Sequence, residues 1–233
     1  MIKVLTFNVL HWNLTHPWKK RKAKVIDILR QSQADIFCLQ EVKRKQLVDI
    51  SNAFRSHYSF YYKARDGKDG EGCPIFYNLN KYSVLDYDTF WFSNTPHKKS
   101  RGWGDIVPRI CSWVQLMSRS TGQTFYVYNV HLTCLGTSGK KKSVNLLVNT
   151  MQSPYILAGD FNSPFESMQM GAFKYMWHSK QDKKNIDHII ASHENFTMPD
   201  SYVIESGKAS DHNCVVATVE KKGKVTNETI DLL

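Results

Sequence analysis

Six short apolar runs in this chain each stop on, or start from, a polar residue able to bind a metal or move a proton. Val4-Leu5-Thr6-Phe7 runs into Asn8, Ile36-Phe37-Cys38-Leu39-Gln40 into Glu41, and Tyr126-Val127-Tyr128-Asn129-Val130 into His131. Tyr155-Ile156-Leu157-Ala158-Gly159 leads to Asp160-Phe161-Asn162, Asp187 opens Asp187–Ala191, and Asp211-His212 precede Asn213–Glu220. Apolar runs of this length, bounded by turn residues, read as buried strands. If central strands bring their ends together, acids, carboxamides and imidazoles meet at one rim.

Between these runs the text alternates in kind. Trp18, Val25, Ile28 and Leu29 recur at helical spacing and predict a helix from about Trp18 to Gln31. Its lysines and Arg21 read as a solvated face rather than a binding patch. A second amphipathic helix is expected from about Arg44 to Phe54. The stretches Tyr58–Ala64, Gly72–Asn78 and Tyr82–Phe92 are β-like, and Arg109–Arg119 with Thr124–Leu132 reads as a hairpin. A loop at Gly136–Lys142 and a short helix at Ser143–Gln152 follow. Strands and helices interleaved in this way imply an α+β protein of packed sheets flanked by helices. One domain over 1–221, with a lysine-rich tail at 222–233, accounts for the 233 residues.

Composition narrows the partners. A formal charge of +10 and a pI near 9.3 suit a polyanion, whether nucleic acid, an anionic membrane surface or a phosphorylated small molecule. Lysines that serve solubility explain the same charge equally well. No apolar run approaches the roughly 18 residues of a membrane span. Ile2–Phe7 reads as a strand, not a leader, and Cys38, Cys73, Cys111, Cys134 and Cys214 lack zinc-type spacing. The expected setting is therefore cytoplasmic and reducing. Glycosylation-type triplets at Asn13, Asn195 and Asn227 matter only on a secretory route.

Hard oxygen ligands from Asn, Glu and Asp suit magnesium, with manganese as the alternative, better than zinc. An imidazole tethered to a carboxylate suits proton transfer at a phosphoester. Singly, each residue has a plainer explanation: Asn8 or Asn162 as a turn residue, Glu41 as a helix cap, His131 as a core histidine. A set of such residues at strand ends is harder to explain one by one. Gly139-Lys140-Lys141-Lys142-Ser143, by contrast, has the wrong spacing from Gly136 for a nucleotide-binding loop.

Six blocks occur in order: Thr6-Phe7-Asn8-Val9, Leu39-Gln40-Glu41-Val42, Asn129-Val130-His131-Leu132, Gly159-Asp160-Phe161-Asn162-Ser163-Pro164, Ile186-Asp187-His188-Ile189-Ile190 and Ser210-Asp211-His212. They resemble the signature of the endonuclease/exonuclease/phosphatase superfamily, the deoxyribonuclease I-like metal-dependent phosphohydrolases. That resemblance implies a four-layer α/β/β/α sandwich and a magnesium-dependent phosphoester hydrolase. By it, Asn8 and Glu41 hold the metal with Asp211 nearby, while Asp160 and Asn162 position water and the scissile phosphate. Asp187 orients His212, His131 is the second histidine, and Glu71 is the acid that partners it. Arg109 resembles a phosphate-contacting arginine, for which a surface ion pair is the competing explanation.

A nuclease or nucleic-acid phosphodiesterase is the leading expectation. Lys63, Arg65, Lys68, Lys98, Lys99, Arg101 and Lys140–Lys142 fall in expected loops where they could track a phosphate backbone. Trp91 and Trp103 offer either stacking surface or packing. The runner-up is a phosphatase of a phosphoinositide or other phosphorylated small molecule. A binding scaffold without catalysis is disfavoured by the intact site residues.

Overall fold

A period of two sorts strand residues onto opposite faces, and here both faces of the central strands are covered. In the computed structural model, residues 1–11, 14–68, 70–173, 176–179, 184 and 186–222 are described. The chain runs β1 (Ile2–Asn8), α1 (Trp18–Ser32), β2 (Ile36–Gln40), α2 (Arg44–Phe54), β3 (Tyr58–Tyr61), β4 (Ile75–Asn78), β5 (Tyr82–Trp91), β6 (Ile110–Ser118) and β7 (Thr124–His131). It continues through α3 (Thr137–Thr150), β8 (Tyr155–Asp160), a 3-10 helix at Met168–Phe173, β9 (Trp177–His178), β10 (Asp187–Ala191), β11 (Phe196–Ile204) and β12 (Cys214–Lys221).

Two six-stranded sheets result, in the orders β11-β12-β1-β2-β4-β3 and β5-β6-β7-β8-β10-β9. Between them lie Val4, Ile36, Cys38, Val127, Ile156, Ala158, Ile189, Val215 and Ala217. The alternate residues Leu5, Phe7, Phe37, Leu39 and Val216 pack outward on α1 and α2 through Val25, Leu29, Leu47 and Ile50. On the second sheet Tyr128, Val130 and Leu157 meet Val144 and Leu147 of α3. The layers are therefore α/β/β/α, as the resemblance implies.

This alternation also aims the polar strand ends. Val4, Ile36, Val127, Ile156 and Ile189 face inward, so Asn8, Gln40, His131, Asp160 and Asp187, an even number of residues away, point into the same inter-sheet space. β1 and β2 run parallel, as do β7 and β8, so their C-terminal ends lie together. β10 and β12 are antiparallel to those neighbours and begin at the same end. Register places His131 opposite Asp160, and Asp160 opposite Asp187.

Just below this rim the inter-sheet core is polar. Gln40 Nε2 donates to Asn129 Oδ1 (2.8 Å) and to Thr6 Oγ1 (3.0 Å). Asn129 Nδ2 donates to the carbonyls of Leu39 (2.8 Å) and Pro74 (2.9 Å). A buried network of this kind, in which only Gln40 Oε1 lacks a partner among the described residues, pins one sheet against the other in a single register. Asn129→Ala removes three hydrogen bonds at full burial and should cost about 2–3 kcal/mol. Urea melts compared with wild type read this directly, and a cost under about 0.5 kcal/mol would remove the network from the stability account.

Three expectations are corrected. The loop at Gly136–Lys142 is the first half of α3, which starts at Thr137. Gly139 hid it, since glycine disfavours a helix interior. A Cβ there would stand 3.1 Å from the Trp103 carbonyl oxygen, a tight approach that glycine avoids. β11 escaped notice because Pro199 and Asp200 interrupt it. It survives as an edge strand with a register shift between Thr197 and Asp200, which is where a sheet tolerates proline. The expected strands Tyr58–Ala64 and Gly72–Asn78 shrink to β3 and β4, with only isolated bridges from Gly72 to Val42 and Ala64 beside them. The tail beyond Lys222 and the triplets at Asn13 and Asn227 lie outside the described residues.

Candidate active site

The site is assembled around one carboxylate. Asp160 ends β8 and is 1% exposed. Its Oδ2 accepts from Asn8 Nδ2 (3.1 Å) and faces His131 Nε2 at 3.5 Å and His212 Nε2 at 3.8 Å. Its Oδ1 accepts from the backbone N–H of Asn162 (2.9 Å), whose φ of 49° is a left-handed turn that asparagine tolerates. Asn162 Nδ2 donates to the Leu132 carbonyl, tying the β7 and β8 ends together.

Behind His212 lies Asp187, wholly buried, with its Oδ2 2.7 Å from His212 Nδ1. Burial works against the charged imidazole, but the hydrogen bond and charge of Asp187, helped by Asp160, outweigh it and push His212 up to about 9. His131 goes the other way. Its burial, reinforced by Arg109, overrides the pull of Asp160 and lowers it to about 4. At neutral pH the two histidines thus carry different charges, His212 protonated and His131 neutral.

Glu41 adopts a φ of 58°, an unusual conformation for a non-glycine residue and one found where function demands it. Burial opposes its charge, but hydrogen bonds from His11 and Asn8 and the nearby His131 hold it well below the usual carboxylate range. Glu71 arrives from far along the chain because Gly72 bridges to Val42. Only glycine fits that position, where a Cβ would lie 2.7 Å from the Lys63 carbonyl oxygen. Burial raises the Glu71 carboxyl, while Arg65 and His11 pull it down.

Most of the expected residues gather in a cleft of about 190 Å³, lined by Glu41, Glu71, Arg109, His131, Asp160, Asn162 and His212. Asn8 lies beneath it, through Asp160, and Asp187 behind His212. Asp211 is not brought in: its side chain is 54% exposed and its Oδ2 lies 3.2 Å from Lys184 Nζ. Glu71 does not partner His131 as expected. Its Oε2 pairs with Arg65 Nη1 at 3.0 Å and its Oε1 with His11 Nδ1 at 3.1 Å. Arg109 points two buried N–H groups, on Nε and Nη1, at no acceptor among the described residues, which rules against a structural ion pair for those atoms.

His11, Arg65 and Cys134 also line the cleft. His11 carried no strand-end signal, since it follows Asn8 only after a turn. Arg65 was visible only as one loop cation of several. The tryptophans are packing residues: Trp91 is buried with its Nε1 bonded to the Arg65 carbonyl, and Trp103 bonds Asn94. Lys140 lies on α3 and its amine donates to the Asn162 carbonyl, while Lys141 and Lys142 are exposed on the same helix.

Imidazoles and unsatisfied guanidinium N–H groups beside carboxylates around a small cleft are the kinds of group that phosphoester chemistry uses. Comparison with known proteins points the same way. The sequence model of the Endonuclease/Exonuclease/phosphatase family matches residues 5–212. An uncharacterized protein, L388, of Acanthamoeba polyphaga mimivirus is 27% identical over 181 residues, 70% of this chain and 67% of the relative. The Ccr4 3'-5'-exoribonuclease subunit of Phaeosphaeria nodorum is 31% identical over 134 residues, covering 49% of this chain. That match spans about a fifth of the subunit's own length, 22%. Among solved structures, the mannosyl-6-phosphatase Bt3783 of Bacteroides thetaiotaomicron superposes with a TM-score of 0.86 at 26% identity, covering 94% of this chain and 100% of its own.

Proposed function

This chain belongs to the Endonuclease/Exonuclease/phosphatase family, and from the chemistry of its cleft we propose that it hydrolyses phosphodiester bonds in nucleic acid with the help of a divalent metal ion. The observation that carries this is the convergence of Asn8, His131 and His212 on Asp160 Oδ2, beside the unpartnered N–H groups of Arg109. Asp160 is the acceptor for the proton of the attacking water, and Asn162 orients that water. His212, charged and held by Asp187, donates to the phosphoryl oxygens as negative charge builds on them. Neutral His131 donates as well, and Arg109 offers a guanidinium N–H to a non-bridging oxygen.

Glu41, which lines the cleft with its Oε1 held by Asn8 Nδ2, offers hard oxygens that fit a divalent cation, whereas Asn8 Oδ1 accepts from the Leu10 N–H and would join only by turning its amide. Bound there, magnesium or manganese would polarise a phosphoryl oxygen and offset charge on the leaving oxygen. Asp211 would join from its present contact with Lys184 only by a change of side-chain direction.

The extent of the basic surface supports nucleic acid. Lys43, Arg65 and Lys68, with Asp66 and Glu71 among them, line a depression beside the cleft, and Lys99 and Arg101 line a second that adjoins it at Asp66. A polymer running from the cleft along this side would meet both, whereas one phosphate would not. The Ccr4 likeness favours RNA as the polymer. A second reading, phosphatase action on a phosphorylated small molecule, is supported by the small cleft and the likeness to a mannosyl-6-phosphatase. A reducing compartment suits the five free cysteines, of which only Cys134 is exposed.

End-labelled single-stranded RNA and DNA, set beside phosphorylated sugars and inositol phosphates, separate the readings. Cleavage of RNA that stops with a chelator, and drops steeply between about 50 and 200 mM salt, is expected. Phosphate release from the small esters with little salt dependence would move the assignment to the phosphatase.

A further inference from the structure

The turn after β1 sets what faces Glu41 across the cleft. Leu10, at φ 56°, bends the backbone so that His11 doubles back over Glu41. The His11 backbone N–H donates to Glu41 Oε2 at 3.1 Å, and its Nδ1 lies 2.6 Å from the same oxygen and 3.1 Å from Glu71 Oε1. One ligand-type atom from each of the three residues falls within 4.8 Å of the other two.

The outer oxygens of both carboxylates are already engaged. Glu41 Oε1 accepts from Asn8 Nδ2 at 3.1 Å, and Glu71 Oε2 from Arg65 Nη1 at 3.0 Å. Each carboxylate is thus held in place by an outer donor while its other oxygen turns toward the imidazole. Outer partners that orient inner ligands in this way are what a built metal centre uses. The His11 side chain is about a third exposed, at 32%, so the group opens to the cleft and an ion can reach it.

We propose that His11 is a direct ligand, through Nδ1, of this chain's divalent metal, completing with Glu41 and Glu71 a mixed nitrogen and oxygen set. The assignment rests on the metal-dependent reading above and adds a prediction about which ion is taken. Magnesium favours all-oxygen surroundings, whereas an imidazole favours transition ions. The centre therefore prefers manganese, and cobalt more strongly, to magnesium, and His11 adds to that preference. Glu71, which partners no histidine of the phosphate site, gains a role as a ligand.

An imidazole between two carboxylates has one other use: as a cation standing in the ion's place. The two roles predict opposite signs. As a ligand, His11 strengthens metal binding, so removing it weakens binding; as an occupant, removing it strengthens binding.

Calorimetric titration of the chelator-stripped full chain with Mn2+ and with Mg2+ reads this without any substrate. Wild type should bind Mn2+ more tightly than Mg2+. His11→Ala should weaken Mn2+ by at least about tenfold, the lower end of what losing even an outer-shell partner costs, and Mg2+ by less. Electron spin-echo modulation of the Mn2+-loaded protein should show coupling to a directly bound ring nitrogen that vanishes in the variant. His11→Gln, which keeps a polar side chain without the ring, serves if alanine disturbs folding by circular dichroism. Unchanged Mn2+ affinity with no nitrogen coupling, or tighter binding in the variants, overturns the assignment. Glu41→Gln separates the two failures. If it abolishes Mn2+ binding while the His11 variants do not, only the His11 ligation falls. If wild type binds no Mn2+ at all, the metal-dependent reading falls with it.

Discussion

His212→Ala should lower kcat by about 100- to 10,000-fold, the usual worth of a positioned proton-transfer group, without unfolding the protein. The loss belongs to chemistry because His212 faces Asp160 at 3.8 Å while its other ring nitrogen is fixed by Asp187. Its pH signature follows from the sign of the shift. His212 rises from 6.5 to about 9. The stability from this pair is therefore whole below pH 6.5 and is lost as pH climbs through about 9. Activity that needs the protonated ring falls over the same alkaline range. Asp187→Asn removes the main support for the charged ring, so the alkaline limb of the kcat/KM profile moves to lower pH. An unmoved limb in that variant would show that another group sets it.

Arg21→Ala should destabilise the protein by about 4 kcal/mol, the largest stability effect expected of any single change here. The helix pattern places Arg21 among solvated lysines, yet it is 3% exposed. Its guanidinium donates to four backbone carbonyls: Nη1 to Val9 (2.9 Å) and to Ala209, Nη2 to Leu10 (2.6 Å), and Nε to His16 (2.6 Å). Truncation strands several buried acceptors at about 1–3 kcal/mol each, partly offset by relaxation and water. Those carbonyls flank the site, since Val9 and Leu10 lie between Asn8 and His11, and Ala209 precedes Asp211-His212. Arg21 is thus a positioning residue as well as a strut. A variant still folded at low temperature should show a lower kcat than its folded fraction explains. Arg21→Lys keeps the charge but cannot reach four carbonyls at once, so it should rescue little. Urea midpoints together with kcat at matched folded fraction test both halves. A lysine variant as stable as wild type would mean that the charge, not the fork, is what matters.

Much of the fold was legible because it is locally encoded. Alternating apolar residues in β1, β2, β7 and β8, and helical spacing in α1 and α2, are set by backbone geometry over a few residues. Two elements went astray where one residue spoke against its neighbours: Gly139 inside α3, where the Trp103 carbonyl passes close, and Pro199 in β11, where an edge strand has no need of that N–H.

For the site, the same local rule determined its frame. Asn8, His131, Asp160 and Asp187 end or begin buried strands and share the inward-facing parity, so their convergence followed once the sheets packed. What local pattern could not state was pairing over long separations and the turns that make it. Glu71 turns to Arg65 and His11 rather than to His131, because the Gly72 bridge and the left-handed Leu10 and Glu41 aim these side chains at one another. Asp211 faces Lys184, and Arg21 leaves its charged neighbours to bind carbonyls from three turns of chain. The sequence by itself determined which strand ends would be polar and which side chains would share a face, because a period of two allows each strand only two faces. Only the tertiary structure decided which acid pairs with which base, because loop dihedrals and cross-sheet register carry no periodic signal.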